Sequence, residues 1–107
     1  MRFEIVLAPG AVEAYRALAA RRRAELRDAL ETHLRHEPRK VSRSRIKRLR
    51  RLRRPQFRLR VGDLRVFYDV TDENVEVLAI IAKAQAERWL AEQGEADANR
   101  SPGEGEG

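Results

Sequence analysis

The stretch RPQFRLRVGDLRVFYDV (residues 54–70) predicts a tight β-hairpin, and the rest of the chain is best interpreted from it. Gly62-Asp63 fits a two-residue turn, because glycine supplies the positive φ that the first central position of such a turn requires. Side chains alternate between the two faces of a strand. The turn therefore predicts a register in which Arg60 lies opposite Arg65 and Arg58 lies opposite Phe67.

This register separates the hairpin residues into two faces. One face is predicted to join the core and carries Phe57, Leu59, Val61, Leu64, Val66 and Tyr68. The other face carries Arg58, Arg60, Arg65 and Phe67. Like charges directly opposite each other destabilise a sheet by up to ~1 kcal/mol. The cluster is therefore either a solvated basic face or a phosphate cradle with an exposed ring for base stacking, and both interpretations stay open.

Size and composition bound the class of protein. A chain of 107 residues is expected to form one domain, and its 42% hydrophobic but only 6% aromatic content predicts an aliphatic core. A net charge of +6 indicates a polyanionic partner, most simply a nucleic acid, or an acidic protein. No apolar run reaches the ~18 residues of a membrane span. Without cysteine there is no disulfide or thiolate metal site, and a cytoplasmic protein is expected.

The charge is unevenly distributed along the chain. Residues 39–65 hold 13 of the 23 Lys and Arg residues and a single acid, Asp63. Residues 94–107 are rich in Gly and Glu and have a net charge of −3. This composition predicts a folded domain over residues 1–93 and a disordered acidic tail over residues 94–107.

The order of elements follows from hydrophobic periodicity. A strand (2–8), two helices (11–20 and 21–36), three strands (56–61, 64–70 and 74–82) and a last helix (84–93) are predicted. Residues 41–54 are interpreted as a basic loop anchored by Ile46, Leu49 and Leu52. The fold class is therefore α+β, in the order β-α-α-β-β-β-α, with a two-helix hairpin packed on a mainly antiparallel four-stranded sheet.

The motif RLRVGDLRVFYDV, followed by a short acidic turn and VEVLAI, resembles the RelE/ParE superfamily of toxins from bacterial type II toxin–antitoxin systems. The resemblance covers residues 2–93 and implies a RelE-like fold and a cognate antitoxin. In RelE-like members the toxin cleaves mRNA in the ribosomal A site. In ParE-like members the same fold inhibits DNA gyrase.

The resemblance also implies site residues. Arg58 and Arg60 fall where RelE-like enzymes carry a pair of basic residues. Arg65 matches the position of an arginine that contacts the scissile phosphate in the family. These three are therefore the predicted catalytic residues. Active members place a further arginine and then a tyrosine near the C-terminus. Here Lys83 or Arg88 is the candidate replacement for the arginine, and no tyrosine follows. A gyrase inhibitor, or a catalytically weak member that mainly binds its antitoxin, remains the alternative.

Cleavage of RNA by its own 2′-OH requires stabilisation of a pentavalent phosphate, which arginines provide, and two proton transfers, for which guanidinium groups are poorly suited. A ribosome carrying mRNA would supply positioning. Predicted contacts to mRNA and the rRNA backbone are Lys47, Arg48, Arg50, Arg51, Phe67, Lys83 and Arg88. No metal or cofactor is expected, because His33 and His36 have no neighbouring ligand set. A basic RNA-binding module outside toxin–antitoxin systems is a third possibility.

Overall fold

The computed structural model describes residues 1–96, and the predicted order of elements is confirmed there. In chain order the elements are β1 (Glu4–Leu7), α1 (Pro9–Ala17), α2 (Ala20–Leu34), β2 (Ile46–Arg48), β3 (Leu52–Arg54), β4 (Phe57–Val61), β5 (Leu64–Val70), β6 (Asn74–Ala82), a 3-10 turn (Lys83–Gln85), α3 (Ala86–Gln93) and β7 (Glu95–Ala96). None of the three helices within this range has both the length and the apolar composition needed to cross a bilayer.

The main sheet has the strand order β1-β6-β5-β4-β2, and only the β1–β6 pair is parallel. The hairpin of β4 and β5 has the predicted register, with Val61 opposite Leu64 and Arg60 opposite Arg65. Gly62 has a φ of 59°, as the turn requires. The α+β class and the mainly antiparallel sheet are therefore confirmed, and the sheet gains one short strand beyond the four predicted.

The additional strand lies in the segment that was interpreted as a loop. Within residues 41–54, β2 pairs with β4, and β3 pairs with β7 in a separate two-stranded sheet. Ile46 lies opposite Leu59 and is buried in the core. Each strand has three residues, which is too short to show a period of two, so the alternating pattern could not reveal them.

The core lies between one face of the sheet and the two N-terminal helices. α2 contributes Leu26, Leu30 and Leu34, and burial of each leucine is worth about 1.5–3 kcal/mol. The Tyr68 hydroxyl donates a hydrogen bond to the Pro38 carbonyl oxygen at 2.8 Å, which ties the end of the helical region to the sheet. The predicted apolar face of the hairpin is therefore the core face.

The C-terminal end of the described chain differs from the prediction. The tail was predicted to begin at residue 94, but Glu95–Ala96 form β7, in which Ala96 pairs with Leu52. Gly94 permits this approach, because a Cβ there would lie 2.6 Å from the Leu90 carbonyl oxygen and 3.3 Å from Leu52 Cδ2. The rest of the predicted tail, residues 97–107, lies outside the described residues.

Candidate nucleic-acid interface

The second face of the sheet is divided between a small core and an open pocket. α3 covers the part of this face that contains Phe67, and the Phe67 ring stacks on Trp89 with centroids 5.0 Å apart and planes inclined by 12°. Phe67 is fully buried and forms a small core with the buried residues Ala79 and Ala86. The interpretation of Phe67 as an exposed ring for base stacking is therefore wrong. The amphipathic last helix carrying Trp89 was the sequence signal for this cover.

The remaining part of the second face opens into a pocket of about 950 Å³. Its walls are the segment from Val41 to Leu52 and the hairpin residues Arg58, Arg60 and Arg65. We call this the arginine pocket. The structure thus brings the three predicted catalytic arginines together with four of the predicted RNA-binding residues: Lys47, Arg48, Arg50 and Arg51. Lys83 and Arg88 do not line it and belong instead to the turn and helix next to the small core.

Arg65 forms the floor of the arginine pocket and is only 7% exposed. One terminal nitrogen of its guanidinium donates hydrogen bonds of 2.9 Å to the carbonyl oxygens of Gly62 and Leu64. Burial lowers the pKa of Arg65, and the nearby charges of Arg58 and Arg60 lower this pKa further. Guanidinium nevertheless stays charged in proteins. Arg65 is therefore a fixed cation whose environment favours the arrival of an anion.

Arg58 has a buried donor that none of the described residues satisfies. Its Nε is buried and has no hydrogen-bond acceptor among residues 1–96. An unsatisfied buried donor costs about 1–3 kcal/mol, and more when it is charged. An acceptor oxygen in the arginine pocket would relieve this cost. Arg58 is therefore the side chain that a bound phosphate would most stabilise.

The outer wall of the pocket is attached to the hairpin through the backbone. The Arg60 amide donates to the Arg45 carbonyl oxygen at 2.8 Å, and Lys47 lies opposite Arg58 across the β2–β4 ladder. Arg48 supports the wall itself, because its guanidinium lies 5.2 Å from the centroid of the Phe57 ring and donates to two carbonyl oxygens. The position of Lys47 leaves it available to a ligand, whereas Arg48 is already largely engaged.

The buried carboxylate of Asp69 is linked to the same wall through Gln56. Asp69 accepts a 2.7 Å hydrogen bond from the Gln56 amide and lies 3.3 Å from Arg54 Nε. Burial raises the pKa of Asp69, and the hydrogen bond from Gln56 and the charge of Arg54 oppose that rise. The backbone carbonyl oxygen of Gln56 in turn accepts a 2.8 Å hydrogen bond from the Leu49 amide, and Leu49 lies in the pocket wall. The roles of Asp69 and Gln56 could not be predicted from the sequence, because they depend on contacts between residues that are distant along the chain.

All the charged side chains that line the arginine pocket, among the described residues, are cationic. Nine of its lining residues are basic: Arg43, Arg45, Lys47, Arg48, Arg50, Arg51, Arg58, Arg60 and Arg65. Among the described residues, 1–96, no carboxylate, imidazole or phenol lines it, and Lys47 supplies the single amine. Such a pocket can bind a phosphate and stabilise additional charge on it. It offers little for proton transfer, because guanidinium pKa values exceed ~12.

Comparison with known proteins gives two findings. The family model described as "ParE toxin of type II toxin-antitoxin system, parDE" matches residues 5–87. A solved structure titled "Crystal structure of archaeal RelE-RelB complex from Pyrococcus horikoshii OT3" is similar with a TM-score of 0.49 and 24% sequence identity, covering 79% of this chain and 99% of that chain. No curated protein matches the chain.

Proposed function

Because the chain belongs to the ParE toxin family of type II toxin–antitoxin systems, we propose that it is a toxin whose arginine pocket binds the backbone of mRNA on the ribosome and promotes its cleavage. The observation that carries this proposal is the convergence of Arg58, Arg60 and Arg65 on one pocket, to which the part of the chain that the structure describes contributes no acidic side chain. A phosphodiester backbone supplies the anions that such a pocket lacks.

The three arginines would act on the reacting phosphate. The 2′-oxygen attacks the adjacent phosphorus and forms a pentavalent phosphate. The bond from phosphorus to the 5′-oxygen then breaks, which leaves a 2′,3′-cyclic phosphate. Arg65, held rigidly, and Arg58, with its unsatisfied Nε, would donate charge-assisted hydrogen bonds to the non-bridging oxygens. Arg60 would position the neighbouring phosphate. The 2′-OH must lose a proton and the 5′-oxygen must gain one, and the ribosome would align these groups.

A second candidate function is inhibition of DNA gyrase, the activity of ParE-like members of the superfamily. The observation that favours it is that residues 1–96 place no carboxylate, imidazole or phenol in the lining of the arginine pocket. Binding of DNA phosphates or of an acidic protein surface needs charge and no proton transfer. In this case the pocket would bind the target without cutting it.

Two assays on the purified toxin separate these functions. One measures cleavage of mRNA on ribosomes with a defined A-site codon, and the other measures supercoiling of relaxed plasmid by gyrase. Arg60→Gln is the informative variant, because Arg60 is exposed and its replacement is therefore expected to leave the fold intact. We expect the wild type to cleave mRNA and Arg60→Gln to cleave it up to about 100-fold more slowly, because loss of the contact that positions the neighbouring phosphate misaligns the reacting groups.

The matched control is Arg27→Gln on α2, an exposed arginine outside the pocket that should cleave like the wild type. Equal loss in both variants would show that overall charge, and not the pocket, sets the rate. If the wild type inhibits gyrase and leaves mRNA uncut, gyrase inhibition and not mRNA cleavage is its function. Inactivity in both assays would reject both functions.

We further propose that the toxin acts in the cytoplasm and that a cognate antitoxin neutralises it there. The support is its family, whose members are the toxin half of a two-component system. Co-expression with the product of the neighbouring reading frame tests this, because growth inhibition should disappear when the antitoxin is present. Continued inhibition, together with failure to co-purify, would contradict it.

A further inference from the structure

The two histidines of the chain line a second pocket, to which the proposed function gives no role. His33 lies in the last turn of α2 and His36 lies just beyond the end of this helix. The pocket has a volume of about 290 Å³, and we call it the histidine pocket. His33 is half-buried there, and His36 is exposed. The other polar residues of its lining are Thr32, Glu37, Lys40, Ser42 and Arg45.

The histidine pocket and the arginine pocket share one wall, because Ser42, Arg45 and Ile46 line both of them. The Ser42 hydroxyl oxygen accepts hydrogen bonds of 3.0 Å from the amides of Arg45 and Ile46, which holds residues 42–46 in a tight turn. The turn is anchored, since Ile46 is buried in the core and the Arg60 amide donates to the Arg45 carbonyl oxygen at 2.8 Å. A ligand in the arginine pocket therefore has to cross only this turn to enter the histidine pocket.

The two pockets differ in charge. The arginine pocket receives only basic charged side chains from residues 1–96, whereas the histidine pocket contains the carboxylate of Glu37 beside Lys40 and Arg45. Glu37 and Lys40 form a salt bridge of 3.7 Å, so their charges offset each other. Burial lowers the pKa of His33, and the charge of Arg45 lowers this pKa further. The His33 ring is therefore neutral at neutral pH, with one nitrogen that donates and one that accepts.

A lining of this kind fits a nucleobase better than it fits a phosphate. A nucleobase is uncharged, stacks on aromatic rings that include histidine, and forms hydrogen bonds along its edges with hydroxyl and carboxylate groups. Phe67, the ring that the sequence suggested for stacking, is buried under Trp89. His33 and His36 are rings that lie directly beside the arginine pocket, on the other side of the shared wall.

We propose that the histidine pocket is a nucleobase subsite: when single-stranded RNA lies with its phosphates in the arginine pocket, an adjacent base crosses the turn of residues 42–46 and lies against the His33 ring. This inference rests on the proposed function for the nature of the ligand. It adds to that function a contact with a base, where the arginines contact only the backbone. His33 thus contributes to the affinity for RNA through the base and not through the phosphate.

Two octamers with the same backbone separate contact with a base from contact with a phosphate. One is octauridylate RNA, and the other is an octamer of a stable abasic ribose analogue, which carries the same phosphates and no bases. In NMR titrations of the wild type at pH 8, the ring Cε1–Hε1 signal of His33 reports on the histidine pocket, and the amide signals of Arg58 and Arg60 report on the arginine pocket. We expect octauridylate to shift all of these signals and the abasic octamer to shift only the two amides.

Equal shifts of the His33 signal with both octamers would overturn the inference, because backbone charge and not a base would then act on the ring. If octauridylate shifts the amides of Arg58 and Arg60 but not the ring of His33, the inference fails while the proposed binding of RNA stands. If octauridylate shifts none of these signals, the proposed binding of RNA fails and the subsite fails with it.

Removal of the ring gives a second test, measured by titration of fluorescein-labelled octamers. His33→Ala should bind octauridylate about fivefold or more weakly and the abasic octamer within about twofold of the wild type, because stacking on an aromatic side chain contributes to affinity for each base. His33→Phe, which keeps a ring, should recover most of the lost affinity. Gln93→Ala, an exposed substitution on α3 outside both pockets, is the control and should change neither affinity.

Equal loss of affinity for both octamers in His33→Ala would mean that His33 only supports the shared wall, and this result would reject the subsite. Unchanged affinity of His33→Ala for octauridylate would reject it as well. The titrations of the wild type need no substitution, so they decide the question even if His33→Ala does not fold.

Discussion

The two faces of the β4–β5 hairpin show how one strand pattern supports both a core and a site. The face that contacts α1 and α2 is closed, with Leu59, Val66 and Tyr68 fully buried. The opposite face is closed only where α3 places Trp89 on Phe67, and beyond that point it opens into the arginine pocket. The closed face contributes stability, whereas the open part of the other face carries charge at the expense of stability. Substitutions on the second face therefore show where its core ends and its site begins.

The largest effect is expected for Phe67→Ala. Because Phe67 is fully buried against Trp89, its truncation should lower the free energy of unfolding by about 3–5 kcal/mol. Urea denaturation followed by circular dichroism measures this loss. Phe67→Leu, which preserves most of the buried volume, is the control and should cost much less. A loss below about 0.5 kcal/mol for Phe67→Ala would mean that the ring is exposed in solution and available for base stacking.

A smaller effect of opposite sign is expected for Arg58→Met. Methionine keeps much of the buried aliphatic stem but removes the Nε that has no acceptor among residues 1–96. We expect the free energy of unfolding to rise by about 1 kcal/mol, because a desolvated, unsatisfied donor is lost. RNA affinity should fall at the same time, because the variant has lost both a positive charge and the unsatisfied Nε donor that a phosphate oxygen would accept from. Urea denaturation measures the stability, and titration of a fluorescein-labelled octauridylate RNA with the same protein sample measures the affinity.

A stability that falls by more than about 1 kcal/mol in Arg58→Met would contradict this interpretation, because it would show that Nε is satisfied in the folded protein. Arg60→Met is the matched control. Arg60 is exposed and pairs with Arg65 in the same hairpin, so its replacement removes an equal charge without removing a buried donor. In 1 M NaCl, where relief of the repulsion between Arg60 and Arg65 is screened, a stability gain confined to Arg58→Met would place the cost at the Arg58 Nε and not in the charge of the cluster.

Local sequence patterns predicted the hairpin far better than they predicted its surroundings. The register of Arg60 and Arg65 followed from Gly62-Asp63 and from alternation, both of which act within a few residues. The burial of Phe67 depends on Trp89, which lies 22 positions away in sequence. The last helix was predicted, but no local pattern reports which strand residue it covers. The depth of the pocket depends on β2, which is too short for its period to be recognised. Chemistry was thus predictable from residue type, and accessibility was not.

The smallest effect tests the cost of the paired arginines themselves. Arg60 lies directly opposite Arg65, and like charges in this position destabilise a sheet by a few tenths to ~1 kcal/mol. Arg60→Gln should therefore raise the free energy of unfolding by that amount at low salt. The gain should shrink in 1 M NaCl, where the Debye length is only about 3 Å. Arg27→Gln on α2 has no facing arginine in a strand pair and should show no gain. If Arg60→Gln destabilises the protein at both salt concentrations, the two guanidinium groups do not repel each other, and the hairpin tolerates the cluster without any compensating function.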